Sequence, residues 1–211
     1  MDHSVWTTLA VTVAAYLLGS LSFAVIISRV MGLSDPRSYG SNNPGATNVL
    51  RSGNKKAAVF TLILDAAKGW LPVFAVQHFG GDYALGAGTA ALAAIAAFLG
   101  HLYPLFFRFK GGKGVATAAG VLLGVNPLLG LSVALTWAIV AWFFRYSSLA
   151  ALAAAVFAPT YYTFGGDVAW PYAEPLLGAL IVMSLLLVWR HIDNINRLVA
   201  GKESKLGAKK K

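Results

Sequence analysis

The sequence predicts an all-α polytopic membrane protein, a bundle of seven transmembrane helices with its N-terminus outside the cell and its C-terminus in the cytoplasm. Three observations carry this. Of 211 residues, 57% are hydrophobic and only 12% are charged, with a mean hydropathy of +0.65. Apolar runs recur from end to end at lengths near the roughly 20 residues that a helix needs to cross a hydrocarbon core. Lys and Arg fall on alternate loops, as expected where basic residues stay on the cytoplasmic side.

Reading apolar runs against breakers places spans near 5–28, 57–78, 84–106, 114–125, 128–144, 148–164 and 172–189. The first run lacks a basic leader and is too long for a signal sequence, so it is expected to remain as a span. The fourth is short, and 115–144 reads either as one kinked span or as two spans turning at Asn126-Pro127. Charge decides for two. Arg29, Arg37, Arg51, Lys55, Lys56, Arg108, Lys110, Lys113, Arg145 and the basic tail from about 190 to 211 then share one side, and the opposite loops hold no Lys or Arg. The whole chain, 1–211, is expected to be a single membrane-embedded domain. Its net charge of +9 is assigned to loops facing anionic lipids or substrates rather than nucleic acid.

The polar stretch Gly40-Ser-Asn-Asn-Pro-Gly-Ala-Thr-Asn-Val-Leu-Arg51 follows the first span. With Asn43 as N-cap, Pro44 at the first helical position and Gly53 past the end, a short helix is expected from about 44 to 51. Its free N–H groups, Ser41, Asn43 and Arg51 make either a phosphate pocket or a capped connecting loop. Within the second span Lys68 follows Asp65 by three residues on one helix face, about 20 Å along the axis from a start near Lys55. That pair is either functional or an internal ion pair that orients the helix. Gly69 and Pro72 point to a kink and close packing there, and the Ala-rich runs of the third, fourth and sixth spans to tight helix contacts.

Phe109-Lys-Gly-Gly-Lys-Gly-Val-Ala-Thr117 opens the fourth span. Glycines let a backbone approach a phosphate, and Lys110 and Lys113 supply charge. Gly114 follows the second Lys where a P-loop needs Ser or Thr, so this is not a nucleotide-binding loop. His101 precedes it, with a structural or a chemical role both open. Ser147 and Ser148 offer N-cap hydroxyls to the sixth span. After the seventh span, Ile192, Ile195 and Val199 form a stripe suited to an interfacial helix, with Asn194 and Arg197 on a common face. Lys205 and the lysines at 209–211 read as a lipid-facing tail. With no Cys, no Gly-x-Ser-x-Gly elbow, no His-Glu-x-x-His helix and no His-x4-Asp box, a conventional acyl-enzyme or metal mechanism has little to stand on. A substrate that arrives already activated would suit the anion-binding surface that remains.

Four segments together, Ser41–Arg51, Asp65-Ala-Ala-Lys-Gly69, Gly100–Pro104 with Phe109–Thr117, and Arg190–Leu198, resemble the bacterial acyl-phosphate-dependent glycerol-3-phosphate acyltransferases, the PlsY family. The resemblance covers the whole chain. It implies seven transmembrane helices in the bacterial inner membrane, an active site facing the cytoplasm, and no cofactor or metal. The implied reaction passes a fatty acyl group from acyl phosphate to the 1-hydroxyl of glycerol 3-phosphate, forming lysophosphatidic acid and phosphate for phospholipid synthesis. Carried over by motif, Ser41, Arg51, Lys113, His191 and Asn194 are catalytic. Gly111, Gly112 and Gly114 hold glycerol 3-phosphate, with Asn43, Asn48, Lys68, His101, Lys110, Ser148 and Arg197 as further substrate contacts. The family usually has Gly where this chain has Asn42, and Asn is the side chain that best accepts a left-handed backbone. His101, His191 and a substrate phosphate oxygen all stand as candidates for the general base. A transporter or channel for small phosphorylated anions is the rival reading; it would explain Lys68 and the basic loops, but paired repeats and matching broken helices are absent and the polar motifs cluster at one face rather than at mid-membrane.

Overall fold

The computed structural model describes residues 3–207, which form ten α-helices and no strand. The lysines at 209–211 lie outside the described residues. Helix α1 (His3–Gly19) and α2 (Phe23–Val30) together fill the first expected span, but the chain bends by 44° between them. The short α3 (Ala46–Leu50) follows the polar loop, and α4 (Lys55–Phe79) and α5 (Ala87–Leu102) follow in turn. Then come α6 (Val115–Val125), α7 (Pro127–Phe144), α8 (Ser147–Phe164), α9 (Glu174–Arg190) and α10 (Ile192–Val199).

Three segments are each long and apolar enough to cross a membrane alone: Lys55–Tyr83, Ala87–Phe107 and Pro127–Phe144. The bent pairs α1–α2 and α9–α10, the latter turning by 56°, bring the number to five if each pair counts as one span. Helix α6, at 11 residues, extends only about 17 Å.

Local chemistry explains several boundaries. Asn54 caps α4 by accepting from Ala57 N at 3.0 Å. The turn expected at 126–127 is present: the Asn126 side chain accepts from Leu128 N at 2.9 Å and Leu129 N at 3.3 Å, with Pro127 at the first helical position. Pro72 lies within an unbroken α4. The bundle is drawn together by small residues where α4 meets α6. A Cβ at Gly69 would overlap Thr117 O, and one at Gly120 would overlap Ala66 O, so each helix presents its glycine to the other's backbone. Val73, Phe98, Leu102, Val121, Leu129, Tyr162 and Leu180 fill the core behind this contact. Trp142 and Phe143 on α7 are 77% and 71% exposed, a surface suited to lipid.

Two local expectations are corrected. The short helix starts at Ala46 with extended Gly45 as its N-cap, so neither Asn43 nor Pro44 has the expected position. The reason is Asn48. Its Nδ2 donates to Pro36 O at 2.7 Å and Tyr39 O at 3.1 Å, and its Oδ1 accepts from Ser41 N at 3.0 Å, so the loop is tied to a side chain inside the helix instead of capped from before it. At the start of α8, Tyr146 is the N-cap residue and makes no side-chain cap, while Ser148 Oγ donates to Glu203 Oε1 at 2.7 Å.

Candidate active site

A cavity of about 1250 Å³ runs from the polar loops into the bundle. Its mouth is lined by Ser41, Asn43, Asn48, Arg51, Lys113, Gly114, Ser148, Asn194 and Arg197, with His101 and His191 in the wall. Farther in, the lining is mostly apolar: Ala118 and Leu122 from α6, Val133 and Trp137 from α7, Ala151 and Ala155 from α8, Leu180 and Met183 from α9. Residues more than 150 positions apart in sequence, Ser41 and Asn194, thus share one chamber.

Each wall has a physical cause. In the first loop Asn42 takes a left-handed φ of 54°, the conformation its position requires, and Asn is the non-glycine residue that tolerates it best. Arg51 Nη1 reaches Asn48 Oδ1 at 3.4 Å and Nη2 reaches Ser204 Oγ at 3.0 Å, which holds the guanidinium across the mouth. Lys113 Nζ donates to Asn194 Oδ1. Burial, then the neighbouring Arg197 charge, lower the Lys113 pKa from 10.5 to about 8, so at neutral pH the ammonium is retained but poorly solvated. His191 is buried and lies between α9 and α10, with Nδ1 2.8 Å from Leu187 O. Desolvation lowers its pKa to about 4, which leaves a neutral imidazole whose Nδ1–H donates to that carbonyl.

The expected anion contacts divide. Lys110 is exposed and outside the cavity wall, and Gly111 and Gly112 are set back from it. The carbonyls of those glycines are gripped from behind by Arg190, Nη2 to Gly111 O at 3.2 Å and to Gly112 O at 3.1 Å, so they shape the Lys113 loop without facing the chamber. Lys68 is also withdrawn: only 2% exposed, it lies 2.8 Å from Asp65 Oδ1 and donates to Leu21 O at 2.6 Å. Its role as an anion contact is therefore corrected to an internal tie that holds the bend between α1 and α2. Asn48 lines the chamber, yet its amide is occupied by the loop.

Sequence reading missed Glu203. Its carboxylate accepts from Ser148 Oγ at 2.7 Å, Asn194 Nδ2 at 2.5 Å and Arg197 Nε at 2.7 Å, joining α8, α10 and the following strap. Desolvation raises the Glu203 pKa, but the bonds from Ser148, Arg197 and Asn194 together lower it, and the group is a carboxylate. The signal was available, since Glu203 is the sole acidic residue after Asp193 in a basic tail. Among the described residues no three His, Asp or Glu side chains converge as metal ligands.

The profile describing the glycerol-3-phosphate acyltransferase family matches residues 9–201. The chain belongs to the glycerol-3-phosphate acyltransferase family. A glycerol-3-phosphate acyltransferase from Albidiferax ferrireducens is 63% identical over 201 residues, covering 95% of this chain and 90% of the relative. One from Burkholderia pseudomallei strain 1710b is 65% identical over 205 residues, with 96% and 97% covered. Among solved structures, the crystal structure of PlsY (YgiH), an integral membrane glycerol 3-phosphate acyltransferase, in its glycerol 3-phosphate form matches with a TM-score of 0.86 at 40% identity, covering 95% of this chain and 96% of that one. The lysophosphatidic acid form of the same enzyme matches with a TM-score of 0.83. The all-helical fold is therefore that of an integral membrane member of the glycerol-3-phosphate acyltransferase family.

Proposed function

We propose that this protein transfers a fatty acyl group from acyl phosphate to the 1-hydroxyl of glycerol 3-phosphate, releasing lysophosphatidic acid and phosphate at the cytoplasmic face of the bacterial inner membrane. The observation that carries the reading is the two-part wall of one cavity: Arg51, Lys113 and Arg197 at the mouth, and a predominantly apolar depth between α6, α7, α8 and α9, interrupted by Ser184. Such a chamber matches a phosphate joined to an alkyl chain. The named substrates and products of the family relatives supply the acceptor, and the absence of a nucleophile motif favours a donor that is already a mixed anhydride.

In this mechanism Arg51 and Lys113 offset the repulsion between two phosphorylated substrates and stabilise charge on the departing phosphate. Ser41 and Asn43 add hydrogen bonds at the first loop. Asn194 orients Lys113, and neutral His191 presents its remaining nitrogen to the reacting groups. The bond between the acyl carbon and the glycerol 1-oxygen forms as the anhydride bond to phosphate breaks, and the hydroxyl proton passes to a histidine nitrogen or to a phosphate oxygen, so no covalent enzyme intermediate, metal or cofactor is required. Seven crossings, with the N-terminus outside and the tail inside, fit the confinement of Arg37, Arg51, Lys113, Arg145 and Lys205 to one set of loops.

Purified protein in detergent, given acyl phosphate and glycerol 3-phosphate without added metal, forms lysophosphatidic acid, and omission of either substrate abolishes it. Absence of product with both present discards the reading. Arg51→Ala lowers turnover by about two to three orders of magnitude while folded protein is still recovered; near-normal turnover removes the assigned role.

A further inference from the structure

Asp65 on α4 and His101 at the end of α5 both line the cavity and are almost closed to solvent, at 1% and 6% exposure. His101 Nδ1 is buried with no hydrogen-bond partner, and Asp65 Oδ1 lies 3.7 Å from it. Lys68 Nζ is 2.8 Å from the same oxygen as an ion pair, but its well-directed bond goes to Leu21 O, and Oδ1 itself has no hydrogen-bond donor in line. A buried carboxylate oxygen, ion-paired with Lys68 on one side and with an acceptor direction free on the other, thus faces a buried ring nitrogen without a partner. A proton on Nδ1 serves both, and a small approach closes the bond, since bonds of this kind tighten when substrate is bound. On the other edge of the ring, Nε2 packs against Gly112, next to the Lys113-Gly114 segment that lines the cavity with His101. A Cβ on Gly112 would overlap Nε2 and come within 3.0 Å of Pro44 O, where the first loop and the glycine loop meet.

We infer that Asp65 is a positioning residue: its carboxylate keeps the His101 proton on Nδ1, so that Nε2 meets the chamber as a hydrogen-bond acceptor for a hydroxyl of the acceptor substrate. His101 then takes no part in gripping phosphate, which an N–H on Nε2 would favour. Lys68 fixes the carboxylate and is itself anchored at the bend of the first span. The position of the ring proton is independent of the reaction assigned above; only the identity of the hydroxyl rests on that assignment.

Nitrogen-15 NMR of histidine-labelled protein in detergent, with the His101 signals assigned by their loss in His101→Gln, reads the tautomer directly. A protonated, pyrrole-type Nδ1 and a pyridine-type Nε2 are expected; the reverse assignment overturns the inference whether or not the protein is active. Kinetics then compares two variants that both lack the lysine. Asp65→Leu/Lys68→Met removes the accepting oxygen and should lower kcat/KM for glycerol 3-phosphate at least tenfold, with KM for acyl phosphate within twofold. Asp65→Asn/Lys68→Met keeps an oxygen and should recover most of that loss. Equal activity in the two variants, or a rise beyond twofold in KM for acyl phosphate, also overturns it. If neither variant folds, the ring signals of the parent protein decide alone. Lack of product from the parent, by contrast, discards the acyltransferase assignment and leaves the tautomer measurement intact.

Discussion

Lys113 is held as an ammonium in a place that penalises its charge. Its pKa, lowered to about 8 by burial first and by Arg197 second, puts its titration within reach of ordinary assays. Below that pH the charged form dominates and can bind phosphate; above it, the charged fraction falls about tenfold per unit. KM for glycerol 3-phosphate should accordingly rise as pH increases beyond 8. In Lys113→Arg, whose guanidinium stays protonated, that rise should vanish even if turnover is lower. A parent KM that is flat to pH 10 refutes this. The identity of Lys113 as a candidate was legible from the glycine run around it. Its partner was only half legible: spacing put Asn194 on one face of a helix with Arg197, but nothing local revealed that Glu203 would fasten both.

At the scale of elements, the contact between α4 and α6 depends on glycine at two facing positions. Gly120→Val places three carbons against the Ala66 carbonyl, where no side chain can yield because the obstacle is backbone. The helices must separate, and overpacking of this kind costs about 1–3 kcal/mol or more. A lower thermal midpoint in detergent and reduced recovery from the membrane are expected; an unchanged midpoint would contradict the packing. The strap after α10 is a second such element. Beyond Glu203, Ser204 meets Arg51, and Leu206 exchanges hydrogen bonds with Arg145, N to O at 2.6 Å and Nη2 to O at 3.1 Å. Glu203→Ala deletes three side-chain bonds at once and leaves Asp193 as the remaining carboxylate acting on Lys113 beside Arg197. It should lower the thermal midpoint by about 5 °C or more, and Ser204→Ala by less. Helices with local punctuation were readable: Asn54 before α4 and Asn126-Pro127 before α7 act through their nearest neighbours. The bend between α1 and α2 was not. Gly19-Ser20 is a pair that can kink a helix but does not by itself demand it, and the carbonyl freed at Leu21 is satisfied by a lysine 47 residues away.

For the whole molecule, the cavity unites what the sequence shows only as scattered polar segments and Ala-rich spans. The alanines at 151 and 155 leave the volume of the inner chamber, and their small size was visible as helix packing rather than as room for a ligand. Ala155→Phe should fill the lane and shift preference toward shorter acyl phosphates, measured as the ratio of kcat/KM for long and short donors; an unchanged ratio would place the acyl chain elsewhere. Val59 and Leu62 line this same chamber while remaining 52% and 50% exposed on the outer face of α4. The wall there is a side window toward the bilayer. Under the proposed reaction, a one-tailed product has a sideways path through it, its tail passing from protein to lipid without being wetted, while a water-soluble phosphate has the charged mouth.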